Sequence, residues 1–88
     1  MKIKDGFVLR QVGDKYAVVP VGAKTVDFRC VITLNETGAF LWLRLQEDTT
    51  AAGVTDALLA EYEVSAEKAA ADVESFLNRL RENGLLDE

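Results

Sequence analysis

Residues 30–46, CVITLNETGAFLWLRLQ, decide the fold. The run RCVITL at 29–34 is β-branched and apolar, which predicts a strand. Asn35 follows as a helix N-cap, with Leu34 and Ala39 at the two positions of a hydrophobic staple. Beyond it Ala39, Phe40, Leu41, Trp42, Leu43 and Leu45 point in nearly every direction around the helix axis. A helix of that kind needs cover on more than one side, from several elements of its own chain or from a partner chain. Gly38 falls in its first turn, where a neighbouring backbone is expected to pass close.

Working towards the N-terminus, FVLRQV (7–12) and KYAVVP (15–20) read as two strands joined by Gly13-Asp14. A two-residue turn with glycine first is the signature of a type II′ hairpin. Phe7 and Leu9 share one face of the first strand and Tyr16 and Val18 one face of the second, and Pro20 marks the end of the second strand or an edge. A connection, GAKTVDF at 22–28, leads to the third strand.

Towards the C-terminus, Thr49 and Thr50 are candidate caps for a helix over 51–61. Ser65 caps a third helix running to Glu82, which Asn83-Gly84 stops. Ala69, Val73, Phe76, Leu77 and Leu80 form its apolar stripe, and Leu85 and Leu86 are placed to fold back onto it. Asp72, Ser75 and Arg79 run along one flank, either as a solvated border or as the polar lip of a groove beside Phe76. The order is three strands followed by three helices (βββααα), an α+β class, in one domain over 1–88. A three-stranded antiparallel sheet has two edges, and an open edge can accept an extended peptide as an added strand. The third helix is the natural opposite wall.

Composition narrows the function. A net charge of −5 argues against nucleic-acid binding, which needs a basic face. The chain has no histidine and a single cysteine, so neither a Cys–His nucleophile nor a Cys/His metal site can be built. Cys30 reads as a small core or edge residue, and no internal disulfide can form. The glycines fall singly at turns and helix ends, leaving no phosphate loop. No apolar run reaches the ~18 residues of a membrane span. The expectation is a cytoplasmic, non-catalytic binding protein without cofactor, metal or membrane association.

The segments LNETGAFLW (34–42), LLAEYEVS (58–65) and DVESFLNRLRENGLL (72–86), in this order and spacing, resemble the PqqD family of small peptide-binding proteins. The likeness extends from about Phe7 onward. It implies a winged-helix-like fold and a role as a recognition element for ribosomally made, modified peptides. Such proteins bind the leader of a precursor peptide and present it to a modifying enzyme, often a radical SAM protein. The leader lies along the third strand, against the third helix. Carried onto this chain, that implies a strand wall of Val31, Ile32, Thr33 and Leu34 and a helix wall of Asp72, Val73, Phe76 and Arg79. Two other readings compete: a homodimeric module built on the apolar first helix, and a winged-helix DNA-binding regulator.

Overall fold

The computed structural model describes residues 1–21 and 32–88. Its elements are β1 (Lys2–Ile3), β2 (Phe7–Val12), β3 (Lys15–Pro20), β4 (Ile32–Leu34), α1 (Glu36–Arg44), α2 (Ala51–Glu61), α3 (Ala66–Glu82) and β5 (Leu86–Asp87). The expected third strand is β4. The connection 22–28, the first part of that strand with Cys30, and Val31 lie outside the described residues. The sheet β2-β3-β4 is antiparallel and precedes the three helices, the α+β architecture expected.

Register assigns the faces of the sheet. Leu9 stands opposite Val18, Val18 opposite Ile32, and Tyr16 opposite Leu34. This row packs on the helices: Val18, Ile32 and Leu34 are buried, and Leu9 and Tyr16 are partly so. The other face carries Val8 opposite Val19, and Arg10 opposite Ala17, which itself faces Thr33. At the hairpin Val12 pairs with Lys15; Gly13 has φ +65°, and no non-glycine residue among those described has positive φ. Asp14 therefore has negative φ, which fits a type II′ turn and excludes type I′.

Each helix starts where a side chain accepts an otherwise unpaired backbone N–H. Asn35 Oδ1 accepts from Gly38 N–H at 2.8 Å, Thr50 Oγ1 from Gly53 N–H at 3.0 Å, and Ser65 Oγ from Lys68 N–H at 3.1 Å. At the end of α3, Gly84 (φ +66°) takes the left-handed conformation that a side chain would strain. Gly84 N–H donates to the Arg81 carbonyl and Leu85 N–H to the Leu80 carbonyl, at 3.1 and 2.9 Å. These are the two hydrogen bonds of a Schellman stop, and Leu80 and Leu85, both at 0% exposure, make its apolar contact.

The apolar α1 is covered from within the chain. Ala39, Leu41, Trp42 and Leu45 (just past the helix end) are buried, and the helix leaves only Leu43 as a large exposed apolar side chain, at 56%. The Arg44 guanidinium sits 5.6 Å from the centre of the Phe40 ring, which meets Tyr62 in a T-shaped pair at 5.5 Å between centroids.

One further sheet was not legible in the sequence. β1 pairs with β5, Lys2 opposite Asp87 and Ile3 opposite Leu86. Strands of two residues are too short to show a period. The pair is tied to the end of α1, where Ile3 N–H donates to the Leu45 carbonyl at 2.9 Å and Thr49 N–H to the Met1 carbonyl at 2.9 Å. The N-terminal ammonium donates to Asp48 at 2.6 Å and to the Thr49 carbonyl at 2.8 Å.

Beside β5, Arg81 Nε and Nη2 donate to the two carboxylate oxygens of Glu88 at 3.0 and 2.9 Å. These hydrogen bonds hold the Glu88 carboxyl below its ordinary range. A lowered native pKa stabilises the fold above the unfolded value, about 4.3, and that contribution disappears as pH falls through the native value. Thermal unfolding of Glu88→Gln should therefore give a slightly lower Tm than the parent near neutral pH, with the gap closing in acid. The effect is small because both partners are substantially exposed.

Candidate functional site

A groove of about 440 Å³ opens where β4 runs into α1. The cap of α1 forms one side with Asn35, Thr37 and Gly38, and Leu41 one turn on reaches its floor. The end of α2 contributes Leu58, Tyr62 and Val64. Along α3 the wall is Lys68, Asp72, Ser75, Phe76 and Arg79, residues three or four apart and hence on one helix face. Leu41, Leu58 and Phe76 are all buried, so the floor is apolar, while the charges stand on the α3 rim.

Gly38 shapes the α1 side. A Cβ there would stand 3.1 Å from Leu34 Cβ and 3.3 Å from Asn35 Oδ1. What crowds this glycine is therefore the side chains of Leu34 and Asn35; the expected approach of another backbone is corrected on that point.

The charges are partly answered within the chain. Lys68 Nζ lies 3.3 Å from Asp72 Oδ2, a pairing one helical turn apart that the sequence reading missed although its i, i+4 spacing was readable. Arg79 makes no ion pair with any described residue. Partial burial raises the Tyr62 phenol above its ordinary pKa, and nearby Glu36, Glu61 and Tyr16 push it further. Tyr62 therefore keeps its proton at neutral pH and remains a hydrogen-bond donor.

The eight residues singled out from sequence divide. Asp72, Phe76 and Arg79 meet in the groove. Ile32, Leu34 and Val73 turn into the core at 7%, 3% and 1% exposure. Thr33 lies exposed on the opposite sheet face, beside Ala17, and Val31 is outside the described residues. Residues not singled out, Tyr62, Val64, Lys68 and Gly38 among them, complete the lining. A second, shallower cleft runs along the other flank of α3 past Ala71, Glu74 and Asn78, sharing Ser75 and Arg79 with the first. In the sheet, β4 pairs with β3 on one side and with no described strand on the other. Among the described residues no group of three or more His, Cys, Asp or Glu is placed to hold a metal ion, and no helix is long and apolar enough to cross a membrane. The arrangement can bury apolar side chains and orient charged ones beside a sheet edge.

Comparison with known proteins bears on the fold and the family. The structure of TbiB1 in complex with the TbiA(beta) leader peptide is similar over 99% of this chain and 95% of that one, at 28% identity and a TM-score of 0.73. The structure of a lasso peptide synthetase B1 complexed with the leader peptide shares the fold, at 24% identity, 96% and 93% coverage and a TM-score of 0.69. No curated protein matches. The family model of coenzyme PQQ synthesis protein D (PqqD) matches residues 25–86, well over half of the chain. The chain belongs to the PqqD family.

Proposed function

We propose that this chain binds the leader segment of a ribosomally made precursor peptide and presents it to a separate modifying enzyme, a radical SAM protein being one kind, without catalysing a reaction itself. The observation that carries the reading is that the side of β4 paired with no described strand and the apolar groove meet at Asn35. A similar chain, TbiB1, has been solved with a leader peptide bound. An extended peptide added beside β4 gains backbone hydrogen bonds that tolerate many sequences. Its alternate side chains face the helices and supply the selectivity. Asp72, Phe76 and Arg79 are the proposed groove contacts from α3; Val31, Ile32, Thr33 and Leu34 contribute through backbone. Val73 supports the wall from beneath, as a core residue.

Titrating the isotopically labelled chain with its cognate leader peptide tests this. Amide resonances of Thr33, Leu34 and the 68–79 stretch of α3 are expected to move, while those of β1 and β5 stay in place. If the peptide at tens of micromolar left β4 and α3 unmoved, the reading would be wrong.

A further inference from the structure

We infer that the peptide segment seated in the groove carries a carboxylate two residues from an apolar side chain, and that Arg79 is the residue that selects the carboxylate; this rests on the peptide-binding reading above. The rim of the groove holds two cations and one anion, Lys68, Arg79 and Asp72. The anion is already paired, because Lys68 lies 3.3 Å from Asp72. Among the described residues that leaves one rim charge without an ion pair, a positive one, on a chain whose net charge is −5. Arg79 is exposed, makes no ion pair with a described residue, and presents planar guanidinium donors suited to grip a carboxylate with two hydrogen bonds. Glu74 and Glu82 stand with it along the second cleft, neither close enough to pair with it. They repel an anion approaching from that flank, whereas on the groove side the acid among the described lining residues, Asp72, is already paired with Lys68.

Spacing then sets the pattern. Phe76 and Arg79 are three residues apart on α3, about 4.5 Å along the axis, and the long arginine stem adds reach. In an extended peptide, residues i and i+2 share a face about 6.7 Å apart. For a peptide running along α3, a side chain over the floor of Leu41, Leu58 and Phe76 places the next side chain on that face beside the Arg79 guanidinium. Aliphatic or aromatic residues fit the floor, and aspartate or glutamate fits the rim.

Selection of a displayed library of random peptides on the full chain and on its Arg79→Glu variant tests the inference. The parent should enrich Asp or Glu two positions from an aliphatic or aromatic residue, and Arg79→Glu should enrich Lys or Arg at the same position. Replacing that acid by alanine in a selected peptide should weaken binding to the parent about tenfold, the scale of one charge-assisted contact, and leave binding to Arg79→Glu unchanged or stronger. Arg79→Lys should keep the acidic preference at lower affinity. The exposed position is expected to tolerate these changes; if Arg79→Glu did not fold, as judged by circular dichroism, Arg79→Gln should simply lose the preference. Binders with no acidic preference, or the same preference surviving in the variant, would overturn the inference and leave peptide binding standing. A library yielding no binder to the parent would overturn both.

Discussion

Replacing Trp42 by alanine is expected to remove about 3–5 kcal/mol of folding stability, the range for deleting a buried tryptophan side chain. Trp42 is 1% exposed and sits in α1 within the apolar core shared by the sheet and the other helices. A domain of 88 residues buries roughly 60% of its unfolded surface and has about 5–15 kcal/mol of total stability. A loss of this size is a large share of that stability and, at the low end of the range, all of it. Urea unfolding followed by far-ultraviolet circular dichroism measures the difference, since the fluorescent residue is gone. Leu43→Ala, one position along the same helix but at 56% exposure, should change stability by only about 0.5 kcal/mol. Equal losses at the two positions would mean that α1 is covered differently from the arrangement described.

The second large effect concerns binding. Ser75→Trp is expected to abolish leader binding, weakening it at least about a hundredfold, while the unfolding midpoint stays where it is. Ser75 is exposed, lies on the wall of the groove, and also borders the second cleft on α3, so an indole there occupies the space a peptide needs whichever flank it follows. It supports no buried contact whose loss would disturb the core. Isothermal titration with the cognate leader, alongside thermal unfolding of the same sample, separates the two effects. Undiminished affinity in a folded Ser75→Trp chain would remove the α3 face from the binding site.

Much of this was readable along the chain, and the exceptions share a physical cause. The stripe Ala69, Val73, Phe76, Leu77, Leu80 matches the buried residues of α3, because a helix of 17 residues between two clear caps gives its period room to show. Asn35, Thr50 and Ser65 mark helix starts for the same local reason. By contrast, β1 and β5 exist only because distant segments meet at the end of α1, and nothing within two residues announces a partner more than eighty positions away. The candidate site was legible by element and only partly by side chain. Grouping Ile32, Thr33 and Leu34 as one wall did not resolve which of them faces where, since a shift of one residue exchanges the faces of a strand. Register against Tyr16, Ala17 and Val18 resolves it, sending Ile32 and Leu34 inward. Val73 likewise belongs to the core beneath the wall, one step around the helix from Asp72. The Lys68–Asp72 pair changes the chemistry most, because it leaves Arg79 as the groove-rim charge with no ion pair among the described residues.

The small sheet joining Lys2–Ile3 to Leu86–Asp87 gives the molecule portability. Both chain ends lie side by side, one strand spacing apart, at the opposite end of α1 from the groove at Asn35. Polypeptide can therefore be appended at either end, or the ends joined and the chain reopened at the Gly13-Asp14 turn, without crossing the groove. An N-terminal extension exchanges the ammonium at Met1 for an amide N–H, which can still donate to the Thr49 carbonyl. A second unit joined at either end would leave the groove clear, with covalent attachment standing in for affinity between the two units.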